Sequence, residues 1–179
     1  MKKFLCIILS LTAIVYSLIY GSLGGFSGND GALSKIGLSH PAMFVIWGAL
    51  TCGALFFNIA LGFMKTKYKF YIILLAIAFV GMVLTVSCDF DYSKHTEYLL
   101  HCIGSLGFSI FTGVTVFLLF LLKRNYIFTA VTAVILISDT ILLIIFKETA
   151  LIELAPIIAG LIMLTVHNLG KERTAVEIK

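Results

Sequence analysis

Long, almost uncharged apolar runs constrain this sequence more than any other feature. A helix needs about 20 predominantly apolar residues to cross a bilayer, because the hydrocarbon is about 30 Å thick and each residue rises about 1.5 Å. We therefore predict an all-α, polytopic integral membrane protein, built as a single six-helix transmembrane bundle over residues 1–179. The predicted spans are about Phe4–Leu23, Pro41–Met64, Phe70–Cys88, Tyr98–Leu122, Tyr126–Phe146 and Leu151–Asn168.

The composition excludes the classes that compete with a membrane protein. Hydrophobic residues make up 60% of the chain and charged residues 12%, with a mean hydropathy of +1.09. A soluble domain contains about 25% charged residues, and a disordered chain has high charge and few large apolar groups. Between the spans, the stretch from Gly24 to His40 alone is long enough for a loop with its own conformation. We therefore expect no second, soluble domain.

The positions of Lys and Arg predict the orientation, because cytoplasmic loops carry an excess of both. Of the 13 Lys and Arg residues, Lys35, Lys94 and Lys147 fall on one predicted side. We predict a bacterial-type inner-membrane protein with both termini in the cytoplasm (N-in, C-in). The net charge of +4 then reflects these anchors, so we expect the lipid bilayer and no nucleic acid as partner. The cations assigned to the cytoplasmic side are Lys2, Lys3, Lys65, Lys67, Lys69, Lys123, Arg124, Lys171, Arg173 and Lys179.

Acidic and histidine residues collect on the opposite, outer side. For the loop acids Asp30 and Glu148, the positive-inside bias is a sufficient explanation. It does not explain Asp139, since a helix that starts at Tyr126 rises roughly 20 Å before it reaches this residue. An ionisable group at that depth costs on the order of 3 kcal/mol unless it faces the bundle interior. We predict a functional role for Asp139, with a structural hydrogen-bonding role as the alternative.

A carboxylate and imidazole cluster is predicted where the third span leads into the fourth. Glu97 and His101 are four residues apart and share one helix face. Such a cluster binds a divalent metal such as zinc, activates water or relays protons. We predict His101, Glu97 and Asp139 as catalytic residues. The predicted metal ligands are His101, Asp89 and Asp91. The alternative is a hydrogen-bonded His101 that caps the hairpin.

Three further residues are predicted to bind a ligand at the same side. Glu153 begins the sixth span at a similar depth, while Ser34 and His40 belong to the long loop and would form a lid. The first functional hypothesis is handling of a lipid headgroup or small ligand at the outer leaflet, with metal-assisted hydrolysis as the enzymatic form. The second is a small proton-coupled carrier that uses Asp139 and Glu153. The third is a non-catalytic accessory subunit.

Small residues predict where the helices approach one another, because small side chains allow close backbone contact in lipid. Ala49-x-x-x-Gly53 in the second span and Gly104, Gly107 and Gly113 in the fourth form such faces. We expect both faces to point into the bundle and the fourth span to lie at its centre.

Several of these elements resemble a bacterial six-helix membrane family known as domain of unknown function 998. The segment from Leu33 to Gly37 is similar to its Ser-x-x-Gly element, and Gly81, the acids Asp89 and Asp91, and His101 are similar to its Gly, Asp and His pattern. Ser87-Cys88 stands where that family has Pro before the acidic residue. The resemblance implies six helices and no assigned activity.

A weaker resemblance is to membrane hydrolases of the alkaline ceramidase and progestin-receptor type. These combine Ser, Asp and His around zinc, but their late His-x-x-x-His is absent here. That departure weighs against this second family.

Overall fold

The computed structural model describes residues 1–26, 31–64, 66–147 and 149–170. All regular secondary structure in these ranges is helical. The predictions for Asp30, Lys65, Glu148, Lys171, Arg173 and Lys179 lie outside the described residues. The helices are α1 (Lys2–Ser22), α2 (Leu33–Ser39), α3 (Pro41–Phe63), α4 (Tyr71–Ser87), α5 (His95–Leu122), α6 (Tyr126–Phe146) and α7 (Ala150–Leu169).

The helices and their surface are those of a multi-pass membrane protein. Within the described ranges, five helices, α1, α3, α5, α6 and α7, are long and apolar enough to cross a membrane, and α4 is an apolar helix of 17 residues. Large apolar side chains point outward, with Ile73 66%, Ile127 74% and Ile144 77% exposed. Hydrocarbon accepts such a surface, whereas soluble monomers rarely expose large contiguous apolar patches. The helix boundaries agree closely with the predicted apolar segments, although α5 begins at His95 rather than Tyr98.

Two ends of the bundle can be distinguished by their contacts. At the first, the Tyr20 hydroxyl donates to the Leu33 carbonyl oxygen at 2.8 Å, so that α2 is held where α1 ends. We call this the α2 end. At the other, Lys3 Nζ donates to the Leu169 carbonyl oxygen at 3.1 Å. We call this the terminal end, since the first and last helices meet there.

The centre of the bundle is α3, and the prediction that the fourth span lies there is wrong. Half of the residues in the most apolar stretch of α3 are buried, which is the largest share among the long helices of the described ranges. The helix α3 packs against α1, α4, α5 and α7. The expected seam on its surface is also wrong. Ala49 and Gly53 are exposed, and a Cβ on Gly53 would meet no atom within 4 Å. Small residues permit a close approach, but they do not decide which helix face makes one.

The helices α4 and α5 cross closely at two glycines. A Cβ on Gly81 would lie 2.7 Å from the carbonyl oxygen of Gly104, and a Cβ on Gly104 would lie 2.6 Å from that of Gly81. Both distances are shorter than a real side chain tolerates, so both positions require glycine. The prediction of a packed small residue is therefore confirmed at Gly104. It is wrong at Gly107, where a Cβ would meet nothing within 4 Å.

A buried polar network joins α1, α3 and α7 toward the terminal end. Asn58 is fully buried; its Oδ1 accepts from Cys6 Sγ at 2.6 Å, and its Nδ2 donates to Ser10 Oγ at 3.1 Å. Asn168 Nδ2 donates to Asn58 Oδ1 at 3.1 Å, and Thr165 Oγ1 donates to Ser10 Oγ at 2.8 Å. We call these five residues the Asn58 network. Each of its side chains hydrogen-bonds across helices, which is how polar groups stabilise a bundle in lipid.

Candidate functional site

A cavity of about 410 Å³ lies between α3, α5, α6 and α7 at the α2 end. Most of its lining is apolar. Its acidic and imidazole groups are His101, Asp139 and Glu153, and Ser34 adds a hydroxyl. Four of the predicted site residues, taken from α2, α5, α6 and α7, therefore face one space. From the sequence, these side chains could be expected to meet only because they lie on the same side of the membrane. In the structure, these four line one cavity.

The cavity also reaches the apolar outer surface of the bundle. Leu106 and Ile110 on α5 line it and are 47% and 55% exposed. Thr140 on α6 lines it and is exposed as well. The space is therefore open sideways between α5 and α6.

His101 is the most constrained polar side chain of the site. It is 1% exposed, its Nδ1 lies 2.9 Å from the carbonyl oxygen of Cys88, and its Nε2 lies 2.8 Å from Ser34 Oγ. A carbonyl oxygen only accepts, so Nδ1 must carry a proton. In the neutral ring Nε2 is then an acceptor, and the Ser34 hydroxyl donates to it. The neighbouring backbone thus assigns the tautomer of His101.

Ser34 is held against His101 because α2 is fixed to α7. The backbone N–H of Leu33, the first residue of α2, donates to Glu153 Oε2 at 2.6 Å. A carboxylate that accepts from the first N–H of a helix satisfies an otherwise unpaired donor. Ser34 itself is 7% exposed. Glu153, predicted as a ligand-binding residue, therefore lines the cavity and also positions α2.

Aromatic rings hold the imidazole from two sides. The Phe44 ring stacks on His101 at 6.1 Å between centroids with 20° between planes, and the Phe90 ring lies at 5.1 Å. Phe44 in turn stacks on Trp47, whose Nε1 donates to Ser17 Oγ at 3.0 Å. The imidazole is therefore fixed by two hydrogen bonds and two ring contacts.

Asp139 lies away from the Ser34–His101 pair, where the large cavity meets a smaller one. It lines both the space of about 410 Å³ and an adjoining space of about 60 Å³. The smaller cavity is also lined by Thr112, whose Oγ1 is buried and has no hydrogen-bond partner among the described residues. No described group hydrogen-bonds to the Asp139 carboxylate either. Two polar side chains that have no hydrogen-bond partner among the described residues therefore face the same small space.

Three other predicted site residues, Asp89, Asp91 and Glu97, lie at the turn between α4 and α5 or in the first turn of α5. Lys94 Nζ lies 2.6 Å from Asp89 Oδ2 and 3.5 Å from Glu97 Oε2, and the hydrogen bond to Asp89 raises the pKa of Lys94. Asp91 Oδ1 accepts from the backbone N–H and the hydroxyl of Ser93 at 2.9 and 2.8 Å, and these bonds, the backbone one first, lower the pKa of Asp91. These acids stabilise the turn and do not line the cavity.

Three predictions are therefore not reflected in the geometry. His40 is exposed at the junction of α2 and α3 and does not line the cavity. Glu97 contacts Lys94 rather than His101, although the two lie on one helix face. The described residues contain no group of three His, Cys, Asp or Glu side chains that could hold a metal ion. Asp89 and Asp91, predicted as metal ligands with His101, point to the turn instead.

Two features of the site were missed from the sequence. The carbonyl oxygen of Cys88 orients His101, and no residue type signals a backbone acceptor. Thr112 was not predicted as a site residue. A hydroxyl inside an apolar run was a visible signal, but its lack of a partner depends on packing.

Comparison with known proteins found no match for this chain. No family model matches it, and neither the curated proteins nor the solved structures contain a significant match. The resemblance to domain of unknown function 998 therefore stays a prediction.

Proposed function

We propose that this chain is a bacterial-type inner-membrane protein that binds the polar end of a lipid, or of another amphipathic ligand, in the cavity at the α2 end. Six spans with both termini in the cytoplasm would place that end outside. The described cations support this orientation: Lys35, Lys94 and Lys147 lie near the α2 end. Toward the terminal end lie Lys2, Lys3, Lys67, Lys69, Lys123 and Arg124.

The observation that carries the proposal is the combination of cavity size and lining. Ligand sites have volumes of about 300–1,000 Å³ and apolar walls with a few placed polar groups. The cavity of about 410 Å³ is of this kind, with Ser34, His101 and Glu153 toward the α2 end and Leu136, Leu143 and Ile157 among its apolar residues. An acyl chain fits the apolar part, while hydrogen-bonding groups meet the polar end.

The sideways opening supports a ligand that arrives from the bilayer. Leu106 and Ile110 are exposed to lipid and border the cavity at the same time. An amphipathic molecule can therefore enter without leaving the hydrocarbon. A water-soluble ligand would not need this route.

Native mass spectrometry of the full chain in mild detergent tests the proposal. We expect a bound lipid that is lost in Leu106→Trp, because the larger side chain fills the cavity opening. Ile103→Trp is the matched control: Ile103 lies on the same helix and is 54% exposed, but it does not line the cavity. Equal retention of lipid by wild type and Leu106→Trp contradicts the proposal.

A proton-coupled carrier is the second candidate, and one observation favours it. Asp139 joins the two cavities, and the unpartnered Thr112 hydroxyl faces the smaller one. An ionisable group inside a membrane helix is a functional candidate by default. The carrier predicts that purified protein in liposomes moves protons with a solute and that Asp139→Asn abolishes this movement without loss of fold. Unchanged transport in Asp139→Asn contradicts it.

A further inference from the structure

The geometry points to a catalytic dyad in which Ser34 is a nucleophile and His101 its general base, acting on an acyl ester held in the cavity. This inference rests on the proposed function, since it names the chemistry performed on the bound amphipathic ligand. The sequence predicted His101 as a catalytic residue and a metal ligand, and Ser34 as a ligand-binding residue of a lid, but it did not pair the two.

The hydrogen bonds run from the Ser34 hydroxyl to His101 and from His101 to the Cys88 carbonyl oxygen, which is the arrangement of an activated serine. Such a nucleophile needs a base within about 2.6–3.2 Å and a third group that orients the base. Ser34 Oγ lies 2.8 Å from His101 Nε2, and the Cys88 carbonyl oxygen lies 2.9 Å from Nδ1. Because the carbonyl fixes the proton on Nδ1, the lone pair of Nε2 is directed at the hydroxyl. The base is therefore in the tautomer that the reaction needs.

The surroundings separate this pair from a hydrogen bond that merely joins two helices. Both residues line a cavity that is large enough for an acyl group, although both are almost fully buried. The Asn58 network contains similar hydrogen bonds, yet none of its residues lines this cavity or the smaller one. Ser34 lines the mostly apolar space that would hold the ligand, and the Phe44 and Phe90 rings contact the imidazole.

The reaction balances with water as the only co-reactant. Ser34 Oγ bonds to the ester carbonyl carbon as its proton passes to His101 Nε2; the bond from that carbon to the alcohol oxygen then breaks, and the alcohol leaves with this proton. Water next attacks the acyl-serine and gives one proton to Nε2. The bond to Ser34 Oγ breaks, and that oxygen recovers the proton. One ester and one water become one acid and one alcohol, with no change of oxidation state.

An alkyl fluorophosphonate tests the inference directly, because it forms a stable bond with an activated serine oxygen and releases fluoride. We expect the adduct of the full-length protein to map to Ser34 by peptide mass spectrometry. Ser34→Ala abolishes this adduct, and His101→Gln slows its formation by about 10²–10⁴-fold, the usual contribution of a general base. Mapping in the wild type does not depend on whether either variant folds.

Two matched variants and two substrates complete the test. Ser39→Ala and His95→Gln change an exposed serine of α2 and an exposed histidine of α5, and we expect both to label at the wild-type rate. Faster hydrolysis of p-nitrophenyl laurate than of the acetate indicates a lipid-like ester, and the reverse indicates a small one. Both outcomes support the dyad.

Failure of the Ser34–His101 dyad can be distinguished from failure of the proposed lipid-binding function. Wild-type protein that retains a bound lipid but gives no adduct at Ser34 overturns the dyad and leaves the binding function standing. An adduct at Ser34 in protein that retains no lipid supports the dyad and overturns lipid binding. An adduct whose rate is equal in His101→Gln and His95→Gln also overturns the dyad.

Discussion

The bundle contains two buried polar clusters, and they differ in what lies beside them. The Asn58 network joins α1, α3 and α7, and its residues line neither of the two cavities. The cluster of Ser34, His101 and Glu153 joins α2, α5 and α7 and borders a space of about 410 Å³. Both clusters are hydrogen-bonded across helices, so hydrogen bonding alone does not identify a site.

The difference shows how a buried polar group in a membrane protein can be assigned a role. A group enclosed by its partners stabilises the packing, since removing it leaves other buried groups unpaired. A group that has partners and also faces a cavity can meet a ligand. Substitutions in the first cluster should change stability without changing ligand chemistry. Substitutions in the second should change both.

The largest loss of stability is expected for Asn58→Ala. Asn58 is fully buried and forms hydrogen bonds with Cys6, Ser10 and Asn168. Its removal leaves several buried groups without their partner, and we expect the free energy of unfolding to fall by about 3 kcal/mol. Unfolding in a series of denaturing-detergent mixtures measures the change. Labelling of Ser34 in the fraction that remains folded should be unchanged.

Thr51→Val on the same helix is the matched control. Thr51 is also fully buried, but its Oγ1 has no hydrogen-bond partner among the described residues. Removing this hydroxyl is expected to leave stability equal or slightly higher, because no bond is lost. A similar loss in Thr51→Val and Asn58→Ala would show that the network contributes nothing specific.

Glu153→Ala is expected to lower stability by about 2 kcal/mol, because the Leu33 N–H loses its acceptor. It should also slow the labelling of Ser34, since α2 is no longer fixed to α7. Glu153→Gln keeps an oxygen that can accept this hydrogen bond and should restore most of both losses. A labelling rate that stays at the wild-type value in Glu153→Ala would place Glu153 outside the second cluster.

The helices were largely predictable from the sequence, because membrane thickness requires long apolar runs. Phe4–Leu23 predicts α1 and Tyr126–Phe146 predicts α6 almost to the residue. The arrangement of the helices was not predictable. Hydropathy is nearly uniform around each span, so it gives no preferred neighbour, and the expected seam of Ala49 and Gly53 points outward.

Half of the site was predictable, because the sequence indicates how deep a residue lies in the membrane. It does not indicate in which direction the side chain points. Ser34, Asp139 and Glu153 were predicted on the same side of the membrane as His101, and all four line one cavity. Glu97 shares a helix face with His101, but it lies near the surface, where Lys94 is a closer partner. Asn58 was overlooked, although an amide inside the apolar run of α3 was a signal of interhelical hydrogen bonding.

A smaller effect of opposite sign is expected for Asp139→Leu. The Asp139 carboxylate lines the cavities, and no described group hydrogen-bonds to it. An ionisable group inside a membrane helix that lacks a partner costs free energy, so replacing Asp139 with leucine should raise the free energy of unfolding by about 1 kcal/mol. Ser138→Leu, at an exposed neighbour, is the control and should have little effect. Destabilisation by Asp139→Leu would indicate that Asp139 has a structural role, as the residues of the Asn58 network do.

The smallest effect is expected for Asp91→Asn, and it depends on pH. Hydrogen bonds from Ser93 lower the pKa of Asp91 in the folded protein, so its carboxylate stabilises the fold above the ordinary pKa of an aspartate. That contribution is lost as the pH falls through the lowered pKa. The melting temperature of Asp91→Asn should therefore lie slightly below that of the wild type at neutral pH, and the difference should shrink in acid. Asp91 does not line the cavity, so lipid retention and Ser34 labelling should not change. A loss of either would extend the site to the exposed turn, and the division between structural and cavity-lining polar groups would no longer hold at the α2 end.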